Sequence, residues 1–126
     1  MNSNVRLRPS PVAPEPHGDG LSKFCPRYQF AIELIGRRWV GAILRVLVAG
    51  PARFNEIPAA VPGLSDRLLS ERLRELEEQG VVVRVVAATR PLRVTYELTP
   101  CGRSLEEIVE SIGAWSERWV ELGAVS

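Results

Sequence analysis

The stretch that decides the fold is residues 54–85, which read FNEIPAAVPGLSDRLLSERLRELEEQGVVVRV. Asn55 is a residue type that caps helices, and Pro58 falls within the first turn after such a cap, where proline is tolerated. Val61-Pro62-Gly63 predicts a turn, and Ser65 predicts a second cap before a helix that ends at Gly80. Two helices joined by a turn of about four residues that contains glycine are typical of a helix-turn-helix.

A β-hairpin is predicted directly after this unit. Residues 81–86 are nearly all valine, and in residues 92–98 apolar and polar side chains alternate. Residues 87–91 join these two runs, whereas residues 52–54, upstream, are long enough only for a bridging strand. A hairpin that follows a helix-turn-helix is typical of a wing.

Further helices are predicted on both sides. Cys25-Pro26 predicts a helix over Pro26–Ile35, with Cys25 as the cap, and a second helix is expected over residues 39–49, before Gly50-Pro51. Thr99-Pro100 starts a long helix that we expect to run to about Leu122. The sequence therefore predicts an α/β fold that is mainly α, a winged helix-turn-helix with an N-terminal helix and a long C-terminal dimerisation helix.

Composition separates an arm from this domain. Residues 1–22 are rich in proline and glycine and poor in large apolar side chains, so we expect a disordered N-terminal arm there and a DNA-binding and dimerisation domain over residues 23–126. Arg6 and Arg8 of the arm either enter a minor groove or belong to a solvated tail. No apolar run has the length of a membrane span or a signal peptide, which favours a cytoplasmic protein.

The helix expected after Ser65 has two distinct faces. On a helical wheel Leu69, Leu73 and Leu76 form one stripe, and Arg67, Ser70, Glu71 and Arg74 lie opposite. Because a recognition helix offers its N-terminal half to base edges, Arg67 and Ser70 are candidates for base contacts and Arg74 for a phosphate contact. An ordinary amphipathic helix with a solvated charged face is the alternative.

Charge is segregated although the net charge is only +1. Glu97 is the one acidic residue in residues 81–98, whereas five glutamates fall in the expected last helix. Fifteen of the sixteen basic residues are arginine, which suits phosphates and guanine edges but would also follow from a GC-rich genome. The predicted contacts to double-stranded DNA are Arg53, Ser65, Arg67, Ser70, Arg74, Arg84, Thr89, Arg90 and Arg93.

The chain between Cys25 and Trp115 resembles the HxlR-type family of bacterial winged helix-turn-helix regulators, which is similar to the MarR group. The matching residues are Cys25-Pro26, Ile35-Gly36, Trp39, Ile43-Leu44, Gly50-Pro51, 53–57, 62–65, Arg67, Leu69, 72–77, Gly80, 96–99, Gly102 and Trp115. Arg37-Arg38 stands where the family usually has glycine and lysine, and Pro58 is a second departure, which could shorten its helix. The resemblance implies a homodimer built by the first and last helices, and the predicted interface residues are Tyr28, Leu105, Ile108, Ile112, Trp115 and Trp119.

A signal-sensing role is predicted for the cysteines. A helix N-terminus favours the thiolate, which makes Cys25 the first redox candidate and Cys101 the second. The resemblance implies that some members sense oxidants through a cysteine in this region. Two alternatives stay open, namely that Cys25 is a packing residue and that the effector is a small apolar molecule.

Catalysis and metal binding are not predicted. The single histidine, His17, lies in the arm, and two cysteines far apart do not form a zinc site. We therefore expect no cofactor. The expected function is that of a regulator, most simply a repressor, that binds an inverted repeat in DNA. The alternative is a winged helix that binds another protein, in which case the surfaces of Arg67 and Arg90 would be buried against a partner.

Overall fold

The computed structural model describes residues 5–8 and 23–123. In this part of the chain, no helix is both long and apolar enough to cross a lipid bilayer. The fold is mainly helical, as predicted, with two small antiparallel sheets, of which the sequence predicted only the hairpin. The elements in chain order are β1 (Val5–Leu7), α1 (Pro26–Ile35), α2 (Val40–Ala49), α3 (Glu56–Ala60), α4 (Asp66–Glu78), β2 (Val82–Ala87), β3 (Arg93–Leu98), α5 (Pro100–Arg103), α6 (Glu106–Trp119) and β4 (Val120–Leu122).

Helices α3 and α4 form the predicted helix-turn-helix. Ser65 caps α4, since its Oγ accepts a hydrogen bond from the backbone N of Leu68 at 3.1 Å. Asn55 stands at the cap of α3 but its side chain makes no capping bond; the Glu56 carboxylate accepts from the backbone N of Arg53 instead, at 2.7 Å. Helix α3 is only five residues long, with Pro58 at its third position.

Strands β2 and β3 form the predicted wing. They pair antiparallel, from Val82 opposite Leu98 to Ala87 opposite Arg93. The bridging strand is also confirmed, because Ala52 exchanges two backbone hydrogen bonds with Tyr96, of 2.7 and 3.0 Å.

The core lies between α2, α3, α4 and the base of the hairpin. The leucine stripe of α4 is confirmed, since Leu69, Leu73 and Leu76 are all buried. The other fully buried large side chains are Val40, Ile43, Leu44, Leu47 and Ile57. Helix α1 contributes no buried residue, and α6 contributes Val109. The domain core therefore belongs to the helix-turn-helix and leaves much of the first and last helices uncovered.

The prediction of one helix from Pro100 to about Leu122 is wrong. The chain turns at Ser104 and Leu105, between α5 and α6, and β4 follows directly after Trp119. Thr99 explains the short first helix, because its side chain caps α5 by accepting from the backbone N of Gly102 at 3.1 Å and its backbone N donates to the Val81 carbonyl at 3.1 Å. These bonds fix α5 on the end of the hairpin, so α6 has to begin separately to reach α2.

The prediction of disorder over residues 1–22 does not hold for Val5–Leu7. They pair with β4, and both Arg6 and Arg8 place Nε 3.4 Å from a carboxylate oxygen of Glu121. Arg8 also donates to the carbonyl oxygens of Glu117 and Arg118, which the end of α6 leaves unpaired. The rest of the predicted arm, including His17, lies outside the described residues.

Candidate nucleic-acid interface

The exposed face of α4 carries three of the nine side chains predicted to contact DNA. Arg67, Ser70 and Arg74 are exposed on the side of the helix opposite the leucine stripe. The Arg67 side chain is 91% exposed, and its Nε lies 3.6 Å from the Glu71 carboxylate. An exposed pair of this kind contributes at most about 1 kcal/mol, so DNA could replace the carboxylate at little cost.

Most of the predicted contact arginines have no acidic partner within the protomer. Among residues 5–8 and 23–123, Arg67 forms an ion pair, whereas the other five predicted arginines form none. Those five are Arg53, Arg74, Arg84, Arg90 and Arg93, and all are exposed. Exposed guanidinium groups without acidic partners favour binding of an external polyanion.

The wing separates two of the arginines that the sequence analysis grouped together. Arg84 lies opposite Tyr96 and Arg93 lies opposite Ala87 in the hairpin. Cross-strand partners share a face and neighbouring residues alternate, so Arg84 and Arg93 lie on opposite faces. Thr89 and Arg90 are exposed in the connection between the strands, where the Thr89 hydroxyl donates to the Pro91 carbonyl at 2.8 Å.

Ser65 is already engaged, since its Oγ caps α4. Its hydroxyl hydrogen is still free to donate, so a phosphate contact is compatible with the cap. Arg53 precedes α3 and is exposed.

Arg72 has an inward role that the sequence analysis did not assign to it. The helical wheel places it at the edge of the leucine stripe, which is the only signal in the sequence. In the structure its side chain is only 12% exposed, and its Nε donates to the carbonyl oxygen of Arg38 at 2.9 Å. It therefore contacts the connection between α1 and α2 instead of facing outward with Arg67.

Large apolar side chains are also exposed on α1 and on α6. Tyr28, Ile108, Ile112 and Trp115 are each 46–66% exposed. A cavity of about 450 Å³ opens on α6, with Ile108, Ile112 and Trp115 in its lining. Of the other two predicted interface residues, Leu105 packs against the core and Trp119 is half-buried. Large exposed apolar groups that are contiguous mark interaction sites.

Both cysteines are free thiols on the surface. Cys25 is the N-cap residue of α1, as predicted, and its side chain makes no capping hydrogen bond. Cys101 lies in the first turn of α5, exposed as well. Each thiol is therefore accessible to a reagent in the protomer.

A helix-turn-helix with an adjoining wing and exposed arginines on the outer face of its second helix defines a winged-helix DNA-binding protein. The chain belongs to the HxlR-like helix-turn-helix family, whose family model matches residues 34–124. These proteins are regulators of transcription.

Several relatives, of which YvaP and YodB come from Bacillus subtilis, are similar over most of their length. The uncharacterised HTH-type transcriptional regulator YvaP is 45% identical over 100 residues, which cover 79% of this chain and 93% of that protein. The reduced form of the transcriptional regulator YodB is 40% identical, with a TM-score of 0.70, and the match covers 76% of this chain and 94% of that one. YodB has also been solved after diamide treatment and with bound quinone. The redox regulator HypR, in its oxidised form, is 39% identical with a TM-score of 0.69, over 75% of this chain and 96% of HypR.

Proposed function

We propose that this protein is a homodimeric repressor that binds an inverted-repeat operator. The observation that carries the proposal is the exposed face of α4, on which Arg67, Ser70 and Arg74 have no structural role in the protomer core. Family membership supports DNA binding and leaves the operator, the assembly and the sign of regulation to experiment. Repression is favoured because a dimer bound across a promoter excludes polymerase by its volume alone.

The outer face of α4 and the wing have different roles in this proposal. Arg67 and Ser70, in the first turns of α4, contact base edges in the major groove, while Arg74 and the wing residues Thr89 and Arg90 contact the DNA backbone. Further contacts to the DNA backbone come from Arg53, Ser65, Arg84 and Arg93. Only one of Arg84 and Arg93 contacts the DNA at a time, because the two lie on opposite faces of the wing.

Dimerisation through α1 and α6 would cover the apolar surface that the protomer exposes. Tyr28, Ile112 and Trp115 then become buried against a second copy. A two-fold axis through this interface presents two α4 helices to successive major grooves, about 34–36 Å or roughly 10 bp apart.

The signal acts at Cys25. Its thiol is exposed at the N-cap of α1, where an oxidant in solution can reach it. The diamide-treated and quinone-bound forms of YodB, and the oxidised form of HypR, support a thiol-reactive effector. Diamide takes up two hydrogen atoms as two thiols join in a disulfide, here Cys25 with its counterpart in the partner or with a small thiol. Cys101 is the second candidate thiol.

A small apolar effector is the second candidate signal. The cavity on α6 favours it, because its lining is mostly apolar and adjoins the same interface. Such a ligand would act without any thiol, so its effect would persist when both cysteines are replaced.

The deciding experiment is selection of bound sequences from a random duplex pool. An enriched inverted repeat with half-sites about one turn apart supports the proposal. A pool without enrichment contradicts it and favours a winged helix that binds another protein. A reporter gene under the selected operator then distinguishes repression from activation, since deletion of a repressor should raise expression of the reporter.

A further inference from the structure

Helix α1 is attached to its protomer mainly through its C-terminal end. Residues 26–33 are all exposed, and only Leu34 and Ile35 are partly buried. The angle between α1 and the rest of the domain therefore depends on the corner that follows, residues 36–39, which joins α1 to α2.

This corner contains a strained residue. Trp39 has φ of 75°, a left-handed conformation that bulky side chains rarely adopt. Its ring packs against the turn of the helix-turn-helix, because a Cβ atom at Gly63 would lie only 3.2 Å from Cη2 of Trp39. The Arg38 guanidinium lies 5.3 Å from the centre of the same ring. An unfavourable backbone conformation persists only where its surroundings hold it, and here the turn before α4 is one of them.

Arg72 and Glu75 connect the corner to α4 itself. Arg72 Nε donates to the Arg38 carbonyl at 2.9 Å, and its Nη1 lies 3.2 Å from Glu75 Oε1. The same carboxylate oxygen lies 3.4 Å from Nη2 of Arg37. Because the guanidinium is planar and bonds in two directions, it fixes the orientation as well as the distance between the Arg38 carbonyl and the Glu75 carboxylate. Only 12% of the Arg72 side chain is exposed.

We propose that Arg72 is a positioning residue that fixes the angle between α1 and the recognition helix. The inference rests on the proposed function, in which α1 belongs to the dimer interface and α4 reads DNA. The corner then lies on the path from the two-fold axis to each reading helix. Arg72 itself does not contact DNA. Its bonds set the separation of the two α4 helices, and so the half-site spacing that the dimer accepts.

The test replaces Arg72 by lysine and measures spacing. Lysine keeps the charge but loses the planar fork, so it cannot hold the Arg38 carbonyl and Glu75 in one orientation. Duplexes carry the operator selected by the parent protein, with the half-site separation shortened or lengthened by one and two base pairs. We expect the parent to lose about tenfold in affinity per base-pair change, comparable to one mismatch. For Arg72→Lys we expect a flatter profile or a shifted optimum, with the preferred half-site sequence unchanged.

Arg103→Lys is the matched control. Arg103 makes the same kind of contacts, with Nη1 3.1 Å from the Val48 carbonyl and 3.0 Å from the Glu106 carboxylate, but these bonds join α5 to α2 and to the start of α6, and not the corner to α4. Its spacing profile should match that of the parent. Circular dichroism and melting curves establish that each variant is folded.

The outcomes are distinct. An Arg72→Lys protein that keeps the parental profile, or that loses affinity equally at every spacing, overturns the inference. A parent protein that binds DNA without any preferred spacing contradicts the proposed function instead. If Arg72→Lys does not fold, Glu75→Gln is measured in its place. This variant removes the ionic contacts to Arg37 and Arg72, while the bond from Arg72 to the Arg38 carbonyl stays. Glu75→Gln should flatten the profile less strongly, and an unchanged profile in that variant overturns the inference as well.

Discussion

Gly102 lies so close to Val81 that a Cβ atom at position 102 would overlap the Val81 carbonyl oxygen and lie 3.1 Å from its carbonyl carbon. This contact joins α5 to the segment between α4 and β2. Together with the cap from Thr99, it sets where α6 starts, and so it fixes α6 relative to the helix-turn-helix.

Gly102→Ala should therefore destabilise the fold. The neighbouring atom belongs to the backbone and cannot rotate away, so we expect a loss of about 1–3 kcal/mol or more in the free energy of unfolding, measured by urea titration. Gly41→Ala is the control, because a Cβ atom there meets nothing within 4 Å among the described residues and Gly41 lies inside α2. That variant should be more stable by about 0.4–1 kcal/mol. Equal stabilities of the two variants would contradict the close contact.

Arg67→Ala should relax sequence preference. Loss of a bidentate base contact costs about 1–3 kcal/mol at the contacted position and leaves the other positions unaffected. Competition binding with single-base operator variants measures this. Arg45→Ala serves as the control, because the Arg45 guanidinium lies against Gly113 of α6 and not on the outer face of α4. If Arg67→Ala discriminates bases as the parent does, the assignment of the reading residue is wrong.

Arg74→Ala and Arg90→Ala should weaken binding to every sequence alike. Each lost phosphate contact makes the negative slope of log K against log salt shallower by about 0.9. Titrations at four salt concentrations with specific and random duplexes measure the slope. A loss confined to the specific duplex would show base contacts in place of phosphate contacts.

Ile112→Asp should separate the dimer without unfolding the protomer. Ile112 is 56% exposed, so a carboxylate there is solvated in the monomer but would be buried and unpaired in the interface. Light scattering at micromolar concentration should show a monomer with a native circular dichroism spectrum. Val109→Asp, three residues away on the same helix, should unfold the chain because Val109 is only 8% exposed. A parent protein that is monomeric under these conditions contradicts the homodimer.

Diamide should reduce DNA affinity, and dithiothreitol should restore it. A coupling between the thiol and the DNA site of about 5- to 150-fold is typical of allosteric proteins. Cys25→Ser should bind DNA and ignore the oxidant, whereas Cys101→Ser should respond as the parent does. If Cys25→Ser responds like the parent, Cys25 is a packing residue. If the double variant still answers to an added apolar compound, the effector acts without thiol chemistry.

The elements that could be predicted are those whose causes lie within a few residues. Ser65 and Thr99 cap helices through bonds to residues three positions on, so both helix starts were predictable. The leucine stripe of α4 follows from helical spacing, and the hairpin follows from valine content and alternation. The outer face of α4, with Arg67 and Arg74, follows from the same wheel.

The elements that could not be predicted join residues far apart in the chain. The pairing of β1 with β4 brings Arg6 to Glu121, and short strands of this kind carry no period that distinguishes them from coil. The last helix divides because Gly102 fits against Val81, a contact set by the packing of α5 on the hairpin. Whether Arg84 and Arg93 share a face depends on strand register, which the turn determines.

The sequence by itself determined the winged helix-turn-helix, its recognition helix and the family, because capping, periodicity and turn residues act locally. Only the tertiary structure decided which arginines are exposed and which make contacts inside the protomer. Arg67 and Arg72 lie five positions apart on one helix with the same charge, yet one is 91% exposed and the other donates to the Arg38 carbonyl. That difference follows from the corner between α1 and α2 packing against one side of α4, where the Arg72 guanidinium meets the Arg38 carbonyl and the Glu75 carboxylate.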